Sequence, residues 1–291
     1  MDIVMQSLTA LPPSVQIMLF ALLGLMVGSF LNVAILRIPK RMKWDWTEQS
    51  TEWLKIAPKD DSERPASIVH KSSHCPKCLV KIKPWHNIPL IGYLLIRGKC
   101  AACKQPISIR YPIFEALTAC LTGIVVWQFG ITIESFFAII LTWSLIVQTG
   151  IDLDHQLLLD EITFPILWLG LLISLVPAFS SPTDAIIGAA MGYLSLWVVY
   201  QAFKIATGKE GMGYGDFKLL ALLGAWLGWQ YIPQIILLST FIGSIVGILL
   251  LITKRLNSEK TIPFGPYIAG AGFIALIWGE QINASYFKII S

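Results

Sequence analysis

The sequence predicts an all-α polytopic membrane protein: about eight transmembrane helices with a cytoplasmic zinc-binding loop domain. Three observations predict it. Apolar residues make up 55% of the 291 positions and charged residues 14%, with a mean hydropathy of +0.66. A soluble domain carries roughly 25% charged residues, and a disordered chain is far less apolar. The apolar residues fall into runs approaching the ~20 residues that cross a bilayer, and the cationic residues are segregated between those runs. Five cysteines in a chain of this length are too sparse for a disulfide scaffold.

The first run is Val15 to Leu36. Nothing basic precedes it and no small-x-small cleavage site follows, so it is expected to be a retained helix rather than a secretory signal. A polar stretch runs from Arg37 to Arg110. Seven further runs follow, at about Pro112–Phe129, Glu134–Ile151, Ile162–Phe179, Ala185–Phe203, Asp216–Trp229, Pro233–Ile252 and Phe264–Trp278. The sixth and eighth spans are short. The domains expected are 1–37, a first transmembrane helix; 38–110, a loop domain; and 111–291, a seven-helix membrane domain.

Lys and Arg set the orientation, because they stay on the cytoplasmic side. With both termini periplasmic, the inside loop Arg37–Arg110 holds 15 of the 22 basic residues. Lys204, Lys209, Lys218, Lys254, Arg255 and Lys260 then also fall at cytoplasmic ends, with Lys288 the exception. The net charge of +4 thus reports topology and contact with anionic lipid, and nucleic-acid binding is not needed to explain it.

Cys75-Pro-Lys-Cys78 and Cys100-Ala-Ala-Cys103 form a CxxC pair with 21 residues between the halves. That is one more than the usual zinc-ribbon spacing of about 15–20. Two thiolates on each hairpin can close a tetrahedral site around one ion. A cytoplasmic loop keeps thiols reduced, which argues against disulfides. The loop is poor in apolar residues, and metal binding would supply folding energy that a small core cannot. A redox pair is the alternative, and His70, His74 and His86 are possible substitute ligands. Cys120, alone in the second span, is expected to pack in the core.

The acidic residues carry the sharpest signal. Gly150-Ile-Asp152-Leu-Asp154-His155 ends the third span and Gly213-Tyr-Gly215-Asp216-Phe-Lys218 opens the sixth. Ionisable groups at such places are expensive and mark function. The Lys/Arg count puts both clusters on the same side of the membrane. Two adjacent carboxyl groups share a proton, and one can activate water while the other protonates a substrate. Gly211, Gly213 and Gly215 would allow a sharp turn and close approach of a substrate strand. Asp160 suits either an N-cap of the fourth span or a role in the site, and Lys218 either neutralises the acid pair or snorkels to headgroups. A metal site from Asp152, Asp154 and His155 would have too few fixed ligands. A proton-coupled transporter using the two aspartates is a different class, but no inverted repeat accompanies them. A docking scaffold would leave the glycines without a role.

These segments resemble the type IV prepilin peptidases, the bifunctional leader peptidases and N-methyltransferases of bacterial inner membranes. The matching segments also include Gly28-Ser-Phe-Leu-Asn32-Val, Arg37-Ile-Pro39, Asn87-Ile-Pro89, Arg97-Gly98-Lys99-Cys100 and Ile107-Ser-Ile-Arg110-Tyr-Pro112 with Glu115. The resemblance implies a GxGD aspartic protease whose catalytic pair is Asp152 and Asp216. Its substrates would be prepilins and type II secretion pseudopilins, cut after a glycine at the cytoplasmic face. S-adenosylmethionine would then serve N-methylation of the new N-terminus. The resemblance links the tetracysteine loop to methylation, but the S-adenosylmethionine site does not follow from the sequence; Gly98, Lys99 and Glu115 are candidates only through the resemblance. One departure stands out. Leu159 occupies a position where the family usually has proline, which bears on how the fourth span starts.

Overall fold

A computed structural model describes residues 2–55, 64–65, 67, 73–75, 77–176, 178–253 and 262–290 of the chain. His70, Lys254, Arg255 and Lys260 lie outside the described residues. The chain divides into two compact units, 1–131 and 132–291. Among the described residues the regular elements are all helical, apart from two isolated β-bridges.

The first unit contains α1 (Asp2–Thr9), α2 (Pro13–Trp53), α3 (Ile91–Leu95) and α4 (Arg110–Phe129). Proline in the first turn of α2 suits a position whose N–H has no helical partner. The helix does not stop at Leu36. It continues through Pro39 to Trp53, so the polar stretch begins as helix rather than loop. The reason is local: Lys40, Arg41, Met42, Lys43, Glu48 and Gln49 are good helix formers, and they offset the N–H that Pro39 lacks.

Packing of α2 against α4 uses small residues. A Cβ on Gly24 would meet Thr122, and one on Gly28 would meet the Glu115 backbone. Thr118 and Thr122 are fully buried and donate to the Phe114 and Thr118 carbonyls at 2.7 Å. Asn32 Nδ2 donates to the Tyr111 carbonyl at 3.1 Å. Small residues permit the close helix approach that replaces hydrophobic driving force in lipid. Cys120 does not join this core; it is exposed on the outer side of α4.

The second unit contains α5 (Ile133–His155), α6 (Asp160–Ile173), α7 (Pro182–Thr207), α8 (Tyr214–Leu227), α9 (Ile232–Ile252) and α10 (Gly265–Ile290). Thr132 begins α5 with a reciprocal capping box to Ser135. Ser181 caps α7, and Gly208 ends it in the left-handed conformation. Helix α8 packs against α6, α7 and α10. Phe217, Leu219, Leu220, Leu222, Leu223, Ala225 and Trp226 are all at most 1% exposed. A helix apolar on every face is a core helix.

The eight expected spans thus coincide with α2 and α4 to α10. Among the described residues five helices, α2, α4, α5, α7 and α9, are long and apolar enough to cross a membrane on those grounds alone. At 14 residues, α6 and α8 reach about 21 Å, less than the ~30 Å of a hydrocarbon core.

Helices α7 and α8 touch backbone to backbone. A Cβ on Gly188 would strike the Gly224 carbonyl, and one on Gly224 would strike that of Gly188. Neither can yield without moving a helix. Gly188→Val is expected to destabilise the second unit by about 3 kcal/mol or more, read as a lower melting temperature of the solubilised protein. A variant as stable as the parent would show that the contact is looser.

Candidate active site and metal centre

The metal centre is built by two hairpins that repeat at an offset of 25 residues. In the first, Cys75 N–H donates to Val80, Leu79 N–H to Cys75 and Ile82 N–H to Ser73. In the second, Cys100 N–H donates to Gln105, Lys104 N–H to Cys100 and Ile107 N–H to Gly98. The β-bridges His74–Lys81 and Lys99–Pro106 repeat the same pairing, and Leu79 and Lys104 both take positive φ, 58° and 59°. The duplication leaves little trace in the side chains, which is why the sequence shows no obvious repeat.

These hairpins bring all four sulfurs within 4.8 Å of one another. Cys75 Sγ lies 3.8 Å from Cys103 Sγ, and Cys78 Sγ 3.9 Å from Cys100 Sγ. Sulfurs at ~2.3 Å from one tetrahedral zinc would stand about 3.8 Å apart, so the four cysteines fit a metal ion such as zinc. Hydrogen bonds from the Cys78 and Lys77 N–H groups pull the Cys75 thiol down to about 6. The Cys103 and Ala102 N–H groups likewise lower that of Cys100. At Cys103 the Gln105 N–H acts in the same direction, but desolvation and the neighbouring sulfurs push the thiol up to about 11. A divalent cation among the sulfurs removes that conflict by favouring the thiolate at every position. His74 and His86 are not in the cluster, and among the described residues Asp152, Asp154 and His155 form no comparable group.

The purified chain in reducing buffer is expected to carry one zinc, lost in the Cys75→Ser, Cys100→Ser double variant. Metal analysis finding well under one zinc per parent chain would remove the site.

The two aspartates lie in the second unit. Asp152 sits in the last turn of α5 and is 5% exposed; Asp216 sits in the first turn of α8 and is 8% exposed. Gly215, next to Asp216, and Gly265, which touches Asp152, both lie against Leu158, so the two acids share one neighbourhood. Helix α10 packs against both α5 and α8. At its start, Gly265 N–H donates to Asp152 Oδ2 at 3.0 Å. A Cβ at Gly265 would lie 2.6 Å from that same oxygen, so the position has room only for glycine. Leu158, in the turn between α5 and α6, lies against both glycines of the site. It lies where Cβ atoms on both Gly215 and Gly265 would meet it, at 2.8 Å and 3.1 Å respectively.

Gly265 was missed by the sequence reading, whose only available signal was Pro263-Phe-Gly265-Pro266 opening an apolar run. Of the three glycines before Asp216, Gly211 and Gly215 serve close contacts with Phe203 and Leu158, while Gly213 has nothing within 4 Å of a notional Cβ. None of the three has positive φ, so close approach and not a sharp turn is what they provide.

Asp160 is not an N-cap. Leu159 holds that position at φ −85° and ψ 126°, with no side-chain cap. This φ lies within about 20° of that fixed by proline, so leucine starts α6 in nearly the same way. Asp160 is the first helical residue, and it takes Lys218 Nζ at 2.8 Å to both carboxylate oxygens. Lys218 therefore neither pairs with Asp216 nor snorkels. Glu115, buried at 8%, accepts the Leu90 N–H at 2.9 Å and ties the loop to α4.

Comparison with known proteins gives the same division of the chain. Residues 22–129 match the bacterial peptidase A24 N-terminal domain, and residues 139–248 match the type IV leader peptidase family. The chain is 50% identical over 267 residues to the prepilin leader peptidase/N-methyltransferase of Pseudomonas aeruginosa, covering 92% of each chain. It is 47% identical to the protein of that name from Aeromonas hydrophila, covering 94% of each. For the one from Neisseria gonorrhoeae the figures are 45% and 96% of each. No solved structure matches. With identities of this size over nearly the whole length, the chain belongs to the type IV leader peptidase family.

Proposed function

We infer that this protein removes the leader peptides of type IV prepilins and type II secretion pseudopilins and N-methylates the residue exposed by the cut. The observation that supports the cleavage half is a pair of buried acids, Asp152 and Asp216, whose neighbouring glycines Gly265 and Gly215 close on the same Leu158 in one helical unit. Buried carboxyl groups without a partner cation are costly in a membrane protein and call for a chemical role.

In the mechanism, one carboxylate takes a proton from water, whose oxygen attacks the carbonyl carbon of the glycine that precedes the cut. The other carboxyl group donates to the carbonyl oxygen. Collapse then breaks the C–N bond as the amine leaves with a proton. The pair acts as a unit, and neither residue has a fixed role. The Gly265 N–H fixes the Asp152 carboxylate, and Leu158 fills space that water would otherwise take. The leader is basic and the following segment apolar, so the charge rule leaves the scissile bond at the cytoplasmic face.

Placement follows from the same rule. The chain lies in the bacterial inner membrane with eight crossings, both termini periplasmic and the loop cytoplasmic. In functional terms its parts are a first transmembrane helix over 1–37, a tetracysteine loop linked to methylation over 38–110, and the peptidase domain over 111–291. Cys75, Cys78, Cys100 and Cys103 hold one structural zinc, which supplies folding energy to the loop. S-adenosylmethionine supplies the methyl group. The cavity lined by Asn32, Ile35, Leu36, Ser108, Arg110 and Tyr111 measures about 120 Å³, below the ~300 Å³ at which small-molecule sites begin. That cavity is too small to enclose the cofactor.

The test is incubation of the purified chain in lipid vesicles with a prepilin and S-adenosylmethionine, reading product size and N-terminal mass. Loss of the leader with gain of one methyl group is expected. Uncut prepilin would overturn the function, and a cut at another bond would overturn the specificity.

A further inference from the structure

Helices α5 and α8, which carry the two aspartates, are joined chiefly through α10 on one side and α6 on the other. The α10 connection is the Gly265–Asp152 hydrogen bond. The α6 connection is made by three side chains of its first turn and a half. Thr163 Oγ1 donates to Gln148 Oε1 at 2.9 Å, and Gln148 stands one helical turn before Asp152 on α5. Asp160 receives Lys218 Nζ at 2.8 Å on both oxygens, and Lys218 stands two residues after Asp216 on α8. The same Nζ lies 5.3 Å from the centroid of Phe164, four residues after Asp160, so both ends of the ammonium's environment come from α6. Thr163 and Gln148 are each 1% exposed, whereas the ion pair is partly open, at 26% and 47% for the two side chains.

We propose that Asp160 and Lys218 are positioning residues: they clamp the start of α8 to α6, whose other side is anchored to α5, and so set the separation of Asp152 and Asp216. The inference rests on those two aspartates being the catalytic pair. Its physical ground is that a catalytic constellation displaced by about 1 Å loses about a hundredfold in rate. Asp160 is the first residue of α6 and Lys218 the fifth of α8, close to helix starts whose leading N–H groups have no helical partners and are easiest to displace. A flexible four-carbon stem held by both carboxylate oxygens and an aromatic face restricts that end to one arrangement. Acting on α8 as a whole, the clamp affects the rate of the chemical step and not the affinity for substrate.

The full chain in vesicles tests this with Asp160→Asn, Lys218→Met, the conservative Lys218→Arg, and the exchange Asp160→Lys with Lys218→Glu. Two activities are read on each: cleavage of prepilin, as kcat and KM, and methylation of a pilin already cut. Asp160→Asn and Lys218→Met are expected to lower kcat tenfold or more at unchanged KM, with methylation intact. Lys218→Arg stays near the parent, and the exchange recovers most of the loss. Three results overturn the proposal: neutral variants within twofold of the parent, an exchange no better than they are while it still methylates, or loss of both activities in every variant. Asp216→Asn, run alongside, separates the underlying premise. If it is inactive while the neutral variants cleave normally, only the clamp is wrong; if it cleaves normally, the catalytic pair is wrong and the clamp falls with it.

Discussion

Asp152→Asn and Asp216→Asn are each expected to reduce leader cleavage by about 10²–10⁴-fold, the range spanned by a positioned acid or base, while methylation of a pre-cut pilin continues. The argument is that the amide keeps the shape of the carboxyl group and removes its proton chemistry. At Asp152 the replacement retains an oxygen to accept the Gly265 N–H, so local structure survives. At Asp216 the amide keeps the size of the side chain and removes its charge from a site only 8% exposed. Both variants should therefore fold at least as well as the parent. The measurement is a time course of prepilin conversion beside a melting curve. Normal cleavage by either variant would remove that residue from the chemistry. Loss of cleavage together with a collapsed melting curve would assign it to structure instead.

Gly265→Val is expected to be almost as damaging, although residue 265 bears no reactive group. The first carbon of any side chain there would sit 2.6 Å from Asp152 Oδ2 and 3.2 Å from its Cγ, with Leu158 at 3.1 Å on the other side. The carboxylate has to move, and the N–H that holds it moves too. A shift of about 1 Å costs about a hundredfold. Gly265→Ala should give a smaller loss in the same direction. Gly270→Ala is the control: it lies on the same helix, and nothing stands within 4 Å of its notional Cβ. Rates of leader removal for the three variants decide the matter. A valine variant cleaving as fast as the control would show that Asp152 does not need the α10 contact.

What was legible in the sequence was what repeats locally or is chemically rare. Among the described residues each apolar run falls on a helix, α2 or α4 to α10, because continuous hydrophobicity is easy to see in a sequence. The CxxC hairpins and the two acids were visible because thiols in pairs and carboxyl groups at span ends are uncommon. What was hidden depends on partners far along the chain. Gly265 acts through a backbone N–H across 113 residues, and a backbone donor has no residue signature. Asp160 looked like a cap because its sequence neighbours fit one, whereas its ion partner lies 58 residues away. The run of α2 past Leu36 was missed because polarity was taken as the end of the helix, although polarity ends only the stretch suited to lipid. Cys120 was misplaced because position within a span does not tell which side of the helix faces inward.

The duplicated hairpins have a consequence for how the loop comes apart. Each contributes two sulfurs to the four-cysteine cluster, and each holds its arms together by the same three backbone hydrogen bonds. With one ion shared between them, neither half could release it and remain folded around it, so loss would be cooperative. Stripping the metal should melt Cys75 and Cys100 amide protection in a single step, leaving no half-assembled species to accumulate.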